Sequence, residues 1–124
     1  EEKVTSFLKK NDIKFPLAKI LLLGLAYKKN IDDYRESASL ELFNLLSKKK
    51  IKKIKFYDHH FKKNNVPKGI NLLTKLTSKN LLEFDLVILV TDHDNFDYKF
   101  INKHAKKIID CRGRFSLSDK VIRG

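Results

Sequence analysis

With 124 residues, the chain is long enough for one domain with a single core and too short for a two-domain enzyme. Hydrophobic residues make up 42% of the sequence and charged residues 34%, which excludes a disordered chain and is typical of a globular one. The formal net charge of +12 raises nucleic acid or an anionic surface as a partner.

The sequence also bears on the cellular compartment. No apolar run approaches the roughly 18 residues of a membrane span, and the first ten residues, EEKVTSFLKK, do not resemble a signal peptide. We therefore expect no membrane partner and a cytoplasmic location. The single cysteine, Cys111, excludes a disulfide within the chain and fits a reducing compartment.

Strand and helix patterns alternate along the chain. We interpret residues 1–16 as a helix tail and linker and residues 17–124 as the domain proper. The predicted strands are Lys19–Leu25, Ile54–Tyr57, Asp85–Thr91 and Lys107–Asp110. The predicted helices are Ser37–Lys50, capped by Ser37 or Ser39, a weak helix begun by Thr77 or Ser78, and Phe96–His104. This alternation predicts an α/β fold, a Rossmann-like, doubly wound parallel sheet in three αβα layers.

Most of the positive charge comes from lysine, since only four of the 27 basic residues are arginine. The densest run, SKKKIKKIKF at residues 47–56, fits the solvated end of a helix leading into a strand. A track for a phosphate backbone is the alternative interpretation. Aromatic residues do not interleave with these lysines as a base-stacking platform requires, so we expect no nucleic acid partner.

Polar residues follow each predicted strand, where ligands of parallel sheets bind. These positions are the loop 26–36, Asp58-His59-His60, Asp92-His93-Asp94 and residues 112–114. Arginine suits phosphate through its planar fork, and lysine supplies a point charge. A cleft with Lys28, Lys29, Arg35 and Arg112 therefore predicts a diphosphate ligand. The stretch GLAYKKNIDDYRES, residues 24–37, lacks the G-x-G-x-x-G pattern of a dinucleotide loop.

Four motifs occur together: LLLGLAYKKNIDDYRES, FYD, DLVILVTDHDNFD and IIDCRG. From about Lys19 to Arg114 they resemble the C-terminal UDP-binding domain of the nucleotide-sugar 6-dehydrogenases, the UDP-glucose/GDP-mannose dehydrogenase family. The T-D-H-x-x-F variant, with I-D-D in the first loop, is similar to UDP-N-acetylglucosamine or UDP-N-acetylmannosamine 6-dehydrogenases. A UDP-glucose 6-dehydrogenase stays an alternative.

The resemblance implies a larger enzyme with an N-terminal NAD-binding domain and a central dimerisation region, acting as a homo-oligomer. Such enzymes oxidise the sugar C6 alcohol to a carboxylate for surface polysaccharide, in two hydride transfers to NAD through a thiohemiacetal on a cysteine. The Gly-rich motif that carries this cysteine does not occur in the sequence. The chain is therefore expected to be an enzyme fragment that binds the UDP-sugar and does not catalyse alone, with the missing domains as its partners.

The resemblance also assigns site residues. The substrate-binding residues are Tyr27, Lys28, Lys29, Asn30, Ile31, Asp32, Asp33, Tyr34 and Arg112. Arg35 matches an arginine that reaches the cofactor, NAD, and no catalytic or metal-binding residue is assigned.

Structural roles are the alternatives at several positions. Lys28 and Lys29 could be surface lysines, Arg35 could pair with Asp32 or Glu36, and Arg114 could be structural or exposed. Cys111 directly follows a strand, where a buried thiol is common, and we do not expect it to be a nucleophile. His59, His60 and His93, with Asp92 and Asp94, fit caps and turns better than a metal site, because no recognised ligand spacing is present.

Overall fold

The computed structural model describes residues 2–26, 28–30, 33–35, 37–116 and 118–124. Its five strands are β1 (Lys19–Leu23), β2 (Lys53–Tyr57), β3 (Leu86–Leu89), β4 (Ile108–Asp110) and β5 (Val121–Arg123). They form one sheet in the order β2-β1-β3-β4-β5, and every neighbouring pair is parallel. The doubly wound parallel sheet expected from the sequence is thus confirmed.

Among the described residues, four α-helices cover the two faces of the sheet: α1 (Glu2–Lys10), α2 (Ala38–Lys48), α3 (Ser78–Glu83) and α4 (Tyr98–His104). Helices α1 and α2 contribute buried residues to one apolar cluster, and α3 and α4 contribute to the other. Within the described part of the chain, no helix has the length and apolarity to cross a membrane.

Strand β1 explains how one apolar run serves both layers. Ile20 and Leu22 belong to the cluster under α1 and α2, whereas Leu21 and Leu23 belong to the cluster under α3 and α4. Successive side chains of a strand point to opposite faces, so a strand buried on both sides must be apolar at every position. The run ILLL at residues 20–23 meets this requirement.

Two parts of the sheet were not predicted. Strand β5 pairs with β4, placing Val121 beside Ile108, although the sequence analysis assigned no element after residue 110. The segment around Leu72, for which no strand was predicted, forms a parallel bridge with Phe56 and so covers the outer edge of β2. The segment 1–16 also takes part in the domain, because Val4 and Leu8 of α1 are buried in the apolar cluster under α1 and α2.

Ser37 caps helix α2, which decides between the two serines proposed from the sequence. Its hydroxyl accepts a hydrogen bond from the Leu40 N–H at 3.3 Å, while the Ser39 hydroxyl donates to the Gly24 carbonyl. We predict that Ser37→Ala lowers the free energy of unfolding by about 1 kcal/mol, as measured by urea denaturation. Ser47→Ala, an exposed serine near the other end of α2, is the control and is expected to have little effect. Equal losses in both variants would contradict the assigned cap.

Candidate functional site

Gly24 lets the loop after β1 pass close to the end of β3. Its φ is +93°, and a Cβ placed on it would stand 2.5 Å from the Thr91 Cβ and 2.6 Å from the Thr91 carbonyl oxygen. The Thr91 hydroxyl also donates to the Ala26 carbonyl at 2.8 Å. The glycine of the motif therefore provides both a left-handed turn and a backbone contact that any side chain would block.

Asp58, directly after β2, holds the start of this loop. Its Oδ2 accepts hydrogen bonds from the Leu25 N–H at 2.8 Å and the Ala26 N–H at 3.1 Å, and lies 2.7 Å from His93 Nε2. Its Oδ1 accepts from the His60 N–H at 2.9 Å. Burial alone would raise the pKa of Asp58, but the hydrogen bonds from His93, His60 and Leu25 outweigh it and lower the pKa.

His93, four residues beyond the end of β3, joins Asp58 to the loop after β1. The Asn30 N–H donates to His93 Nδ1 at 2.7 Å, so Nδ1 must be the acceptor. The ring proton is therefore assigned to Nε2, which donates to Asp58 Oδ2. Both nitrogens of this fully buried ring are satisfied only when the imidazole is neutral with its proton on Nε2.

Asn30 is bound through its side chain as well as its backbone. Its amide group donates to Asp94 Oδ2 at 2.8 Å and accepts from the Asp94 N–H at 3.1 Å. The hydrogen bond from Asn30 is the largest cause of a lowered Asp94 pKa, with the nearby Lys29 charge next. Asn30 has a φ of +64°, a conformation that asparagine tolerates better than most residues.

Lys28, Lys29 and Arg112 line one small cleft of about 240 Å³ at the carboxyl end of the sheet. The cleft lies between the loops after β1, β3 and β4, with Asp92 also in its wall. The Nε of Arg112 lies 3.3 Å from Asp92 Oδ1, and the Arg112 side chain is about half exposed. Three cations and one carboxylate therefore face a space bounded by β1 and β3, where the strand order reverses.

Arg114 supports the wall of the cleft rather than being merely exposed. Its guanidinium lies 4.6 Å from the centre of the Tyr98 ring and 3.0 Å from Asp92 Oδ2. It also reaches Asp94 at 3.5 Å. Because Asp92 contacts both Arg112 and Arg114, one carboxylate orients two arginines from the same loop. The structural role considered for Arg114 in the sequence analysis agrees with these contacts.

Arg35, the expected cofactor contact, forms an exposed ion pair with Asp33. The Arg35 Nη2 lies 2.7 Å from Asp33 Oδ2, and its Nε reaches both oxygens of the same carboxylate. The hydrogen bond from the Arg35 side chain is the main cause that lowers the pKa of Asp33 to about 2. The alternative partners Asp32 and Glu36 lie outside the described residues.

The remaining predicted substrate contacts divide into one described residue and three that are not described. Tyr34 packs against Phe61, with ring centres 6.0 Å apart, at the margin of the core under α1 and α2. Tyr27, Ile31 and Asp32 lie outside the described residues. The structure thus brings together Lys28, Lys29 and Arg112 and places Tyr34 against the core.

Asp110, the last residue of β4, organises the loop that carries Arg112. Its buried carboxylate accepts from the N–H groups of Arg112 at 2.9 Å, Gly113 at 2.7 Å and Phe115 at 2.8 Å. Arg123 of β5 donates to the same carboxylate at 2.7 Å. The unpredicted strand therefore supplies a cation that stabilises the Arg112 loop.

Cys111 is exposed, so the expectation of a buried thiol was wrong. Strand β4 ends at Asp110, whose side chain takes the buried position, and Cys111 begins the loop. A Cβ placed on Gly124 would stand 2.7 Å from the Cys111 sulfur, so the thiol is still partly covered. This partial burial is the main cause that raises the pKa of the thiol, and a raised pKa disfavours the nucleophilic thiolate.

Asp58, His59 and His60 place three potential metal-ligand atoms within 4.8 Å of one another. Both oxygens of Asp58 already accept hydrogen bonds, however, and a metal would have to displace them. Burial, followed by the neighbouring His60, lowers the pKa of His59. The contacts of Asp58 are those of a loop cap.

Two larger cavities of the described chain lie away from the carboxyl ends of the strands. One of about 650 Å³ is an open groove beside α1, lined by residues that include Lys3, Phe7 and Lys107. Another, of about 430 Å³, lies among Lys19, Lys53 and neighbouring residues at the amino end of the strands. Neither joins loops from the carboxyl ends of several strands, so we place the candidate site at the smaller cleft on its chemistry.

Asp58 and His93 were placed at strand ends from the sequence but were given no role in the site. Asp58 directly follows β2, His93 lies four residues beyond the end of β3, and β2 and β3 flank β1 on either side. Residues after neighbouring parallel strands converge at one edge of a sheet, so the strand order contained the signal. The sequence alone did not establish that order.

Comparison with known proteins gives a consistent result. Residues 21–116 match the sequence profile of the UDP-glucose/GDP-mannose dehydrogenase family, UDP binding domain. The GDP-mannose 6-dehydrogenase of Azotobacter vinelandii is 35% identical over 107 residues, covering 77% of this chain and 24% of that protein. The UDP-N-acetyl-D-mannosamine dehydrogenase of Escherichia coli K12 is 30% identical over 100 residues, covering 77% and 23% respectively.

Solved structures show the same likeness. The UDP-D-ManNAc dehydrogenase from Pyrococcus horikoshii superposes with a TM-score of 0.68 at 27% identity, covering 93% of this chain and 26% of that one. The chain spans about a quarter of the length of the curated relatives it matches.

Proposed function

Because the chain belongs to the UDP-glucose/GDP-mannose dehydrogenase family, as its UDP-binding domain, we propose that it binds the diphosphate of a UDP-sugar in the cleft of Lys28, Lys29 and Arg112. The observation that carries this proposal is the convergence of three cations from two strand-end loops on one cleft. Arginine and lysine next to strand ends are suited to a diphosphate. Asn30, Asp33 and Tyr34 are proposed as further substrate contacts, as are Tyr27, Ile31 and Asp32, which lie outside the described residues.

The full enzyme would be an NAD-dependent 6-dehydrogenase that oxidises the C6 alcohol of a UDP-N-acetylhexosamine to a carboxylate for surface polysaccharide. The similarity to UDP-N-acetyl-D-mannosamine dehydrogenases supports an N-acetylated sugar, with UDP-glucose as the alternative. We place this enzyme in the cytoplasm as a homo-oligomer. Residues 17–124, with α1 packed against them, would be its substrate domain, and the remaining domains of the enzyme would be the partners of this chain.

The cofactor NAD would accept the hydride in the full enzyme and would be held mainly by another domain. The loop after β1 has one glycine, Gly24, where a dinucleotide site uses three to admit the pyrophosphate backbone. This chain would contribute Arg35, whose side chain is 85% exposed and oriented by Asp33. The residues of this chain thus fit a single charged contact with NAD and not a complete cofactor site.

A titration of the ¹⁵N-labelled chain with UDP-N-acetylglucosamine tests the proposal. We predict amide shifts at residues 28–30 and around Arg112, and a loss of affinity of at least fivefold in Lys28→Ala and Arg112→Ala, since charge-assisted hydrogen bonds contribute about 1.5 to 3 kcal/mol. Lys52→Ala, an exposed lysine in the run 47–56, is the charge-matched control and is expected to bind as the wild type does.

UDP-glucose and a short oligonucleotide serve as comparison ligands. Shifts confined to residues 48–55 with the oligonucleotide, lost in Lys52→Ala and falling steeply with salt, would support a polyanion track instead. No response to either UDP-sugar would contradict the proposed function for this chain.

A further inference from the structure

We propose that His93 is a positioning residue for the phosphate-binding loop, acting through Asn30 as a neutral imidazole whose proton is held on Nε2 by Asp58. The contacts of His93 are made within the chain and do not depend on a bound ligand. Its expected effect on affinity rests on the proposed function. Asp58, His93 and Asn30 form one hydrogen-bonded series, the relay.

The ring of His93 is held in one orientation. It is fully buried, its centre lies 4.1 Å from that of His60, and Phe96 meets it nearly edge-on at 5.3 Å. The Tyr98 hydroxyl donates to the His93 carbonyl at 2.6 Å, which fixes the backbone of the same residue. The ring therefore cannot turn to exchange its two nitrogens without displacing its neighbours.

The polarity of the relay follows from its two ends. At one end the carboxylate of Asp58 accepts and cannot donate while it is ionised, and at the other the Asn30 N–H donates and cannot accept. Only an imidazole with Nε2 protonated and Nδ1 bare satisfies both. In the opposite tautomer, the unprotonated Nε2 would face the Asp58 carboxylate, so that two acceptors meet. The protonated Nδ1 would face the Asn30 N–H, so that two donors meet.

Asn30 connects His93 to the lysines of the cleft, because its backbone N–H binds the His93 ring and it is the next residue after Lys29. It directly follows Lys28 and Lys29 in the chain, and its left-handed backbone, with a φ of +64°, forms the turn directly after them. Loss of the acceptor at Nδ1 removes the backbone hydrogen bond that fixes this turn. The cations would then be ordered only when ligand binds, which lowers affinity.

Two substitutions separate the ends of the relay. The side-chain carbonyl of His93→Asn can occupy the place of Nδ1 and accept from Asn30, whereas the longer His93→Gln reaches the place of Nε2 and contacts Asp58. Thr77→Ala, which removes the cap of α3 and leaves the contacts of the relay in place, is the control for general loosening.

The measurement is ¹⁵N NMR of the imidazole nitrogens and the Asn30 amide in the whole chain, followed by titration with UDP. We expect the wild type to have protonated Nε2 and bare Nδ1, with a scalar coupling across the Asn30 hydrogen bond. UDP affinity should fall at least fivefold in His93→Gln and less than twofold in His93→Asn and Thr77→Ala.

A protonated Nδ1 in the wild type would overturn the proposal, even if both variants fail to fold. Equal UDP affinity in His93→Gln and the wild type would also overturn it. If the wild type shows the expected tautomer and coupling but binds no UDP, the proposed function fails while the relay stands. In that case the amide shifts of Lys28 and Lys29 in His93→Gln decide whether the relay positions the loop.

Discussion

Replacing Gly24 by alanine is expected to lower the free energy of unfolding by about 3 to 5 kcal/mol, because left-handed strain and overpacking each cost about 1 to 3 kcal/mol. The added Cβ would lie 2.5 to 2.8 Å from three atoms of Thr91, two of them in the backbone. Since the loop and the end of β3 would have to separate, the relay should weaken as well. Urea denaturation followed by circular dichroism measures the loss.

Gly69→Ala is a matched control for this prediction. Gly69 has a φ of +88°, close to the +93° of Gly24, but no heavy atom lies within 4 Å of a Cβ placed on it. It therefore carries the conformational cost alone, about 1 to 2 kcal/mol. A loss in Gly24→Ala no larger than that in Gly69→Ala would mean that the contact with Thr91 relaxes without cost, and would contradict the argument.

Local sequence patterns were sufficient for most of the fold. The apolar runs that became β1 and β3 could only be stable when buried on both faces, so they predicted a parallel sheet directly. The predicted ends are within two residues of the observed ones, and β1 stops early because Gly24 turns the chain. Strand β5 was not predicted because it has only three residues, too few to show the alternation of apolar and polar side chains that marks a strand. Its stability comes from pairing with β4 and from the contact between Arg123 and Asp110.

The candidate site divides in the same way. The cations of the cleft, Lys28, Lys29 and Arg112, stand in a recognisable motif and could be predicted from it. The relay could not, because the hydrogen bond between Asn30 and His93 joins residues 63 positions apart and depends on the pairing of β1 with β3. Charge and spacing indicate which residues can bind an anion, whereas the sheet register decides which groups hold them in place.

Replacing Asp58 is also expected to have a large effect. This residue directly follows β2, and its carboxylate binds both the loop after β1 and His93 of the relay. Asp58→Asn is expected to lower the free energy of unfolding by about 3 kcal/mol at pH 7, since each buried donor left without an acceptor costs about 1 to 3 kcal/mol. The side chain is fully buried and its Oδ2 alone serves three donors. An amide keeps one acceptor oxygen and turns two N–H groups toward donors.

The pH dependence of stability shows whether Asp58→Asn acts through the lost carboxylate charge or through the changed shape of the side chain. The folded pKa of Asp58 is lowered, so its stabilisation is complete above the unfolded pKa of about 3.9 and is lost as the pH falls through the folded pKa. Asp58→Asn should therefore be least stable relative to the wild type near neutral pH, and the difference should narrow below pH 4. Asp85→Asn is the control, since the Asp85 carboxylate accepts an exposed hydrogen bond from the Lys19 N–H at the other end of the sheet. If the difference between Asp58→Asn and the wild type stays constant from pH 7 to pH 3, the hydrogen bonds do not depend on the carboxylate charge, and the assigned polarity of the relay is wrong.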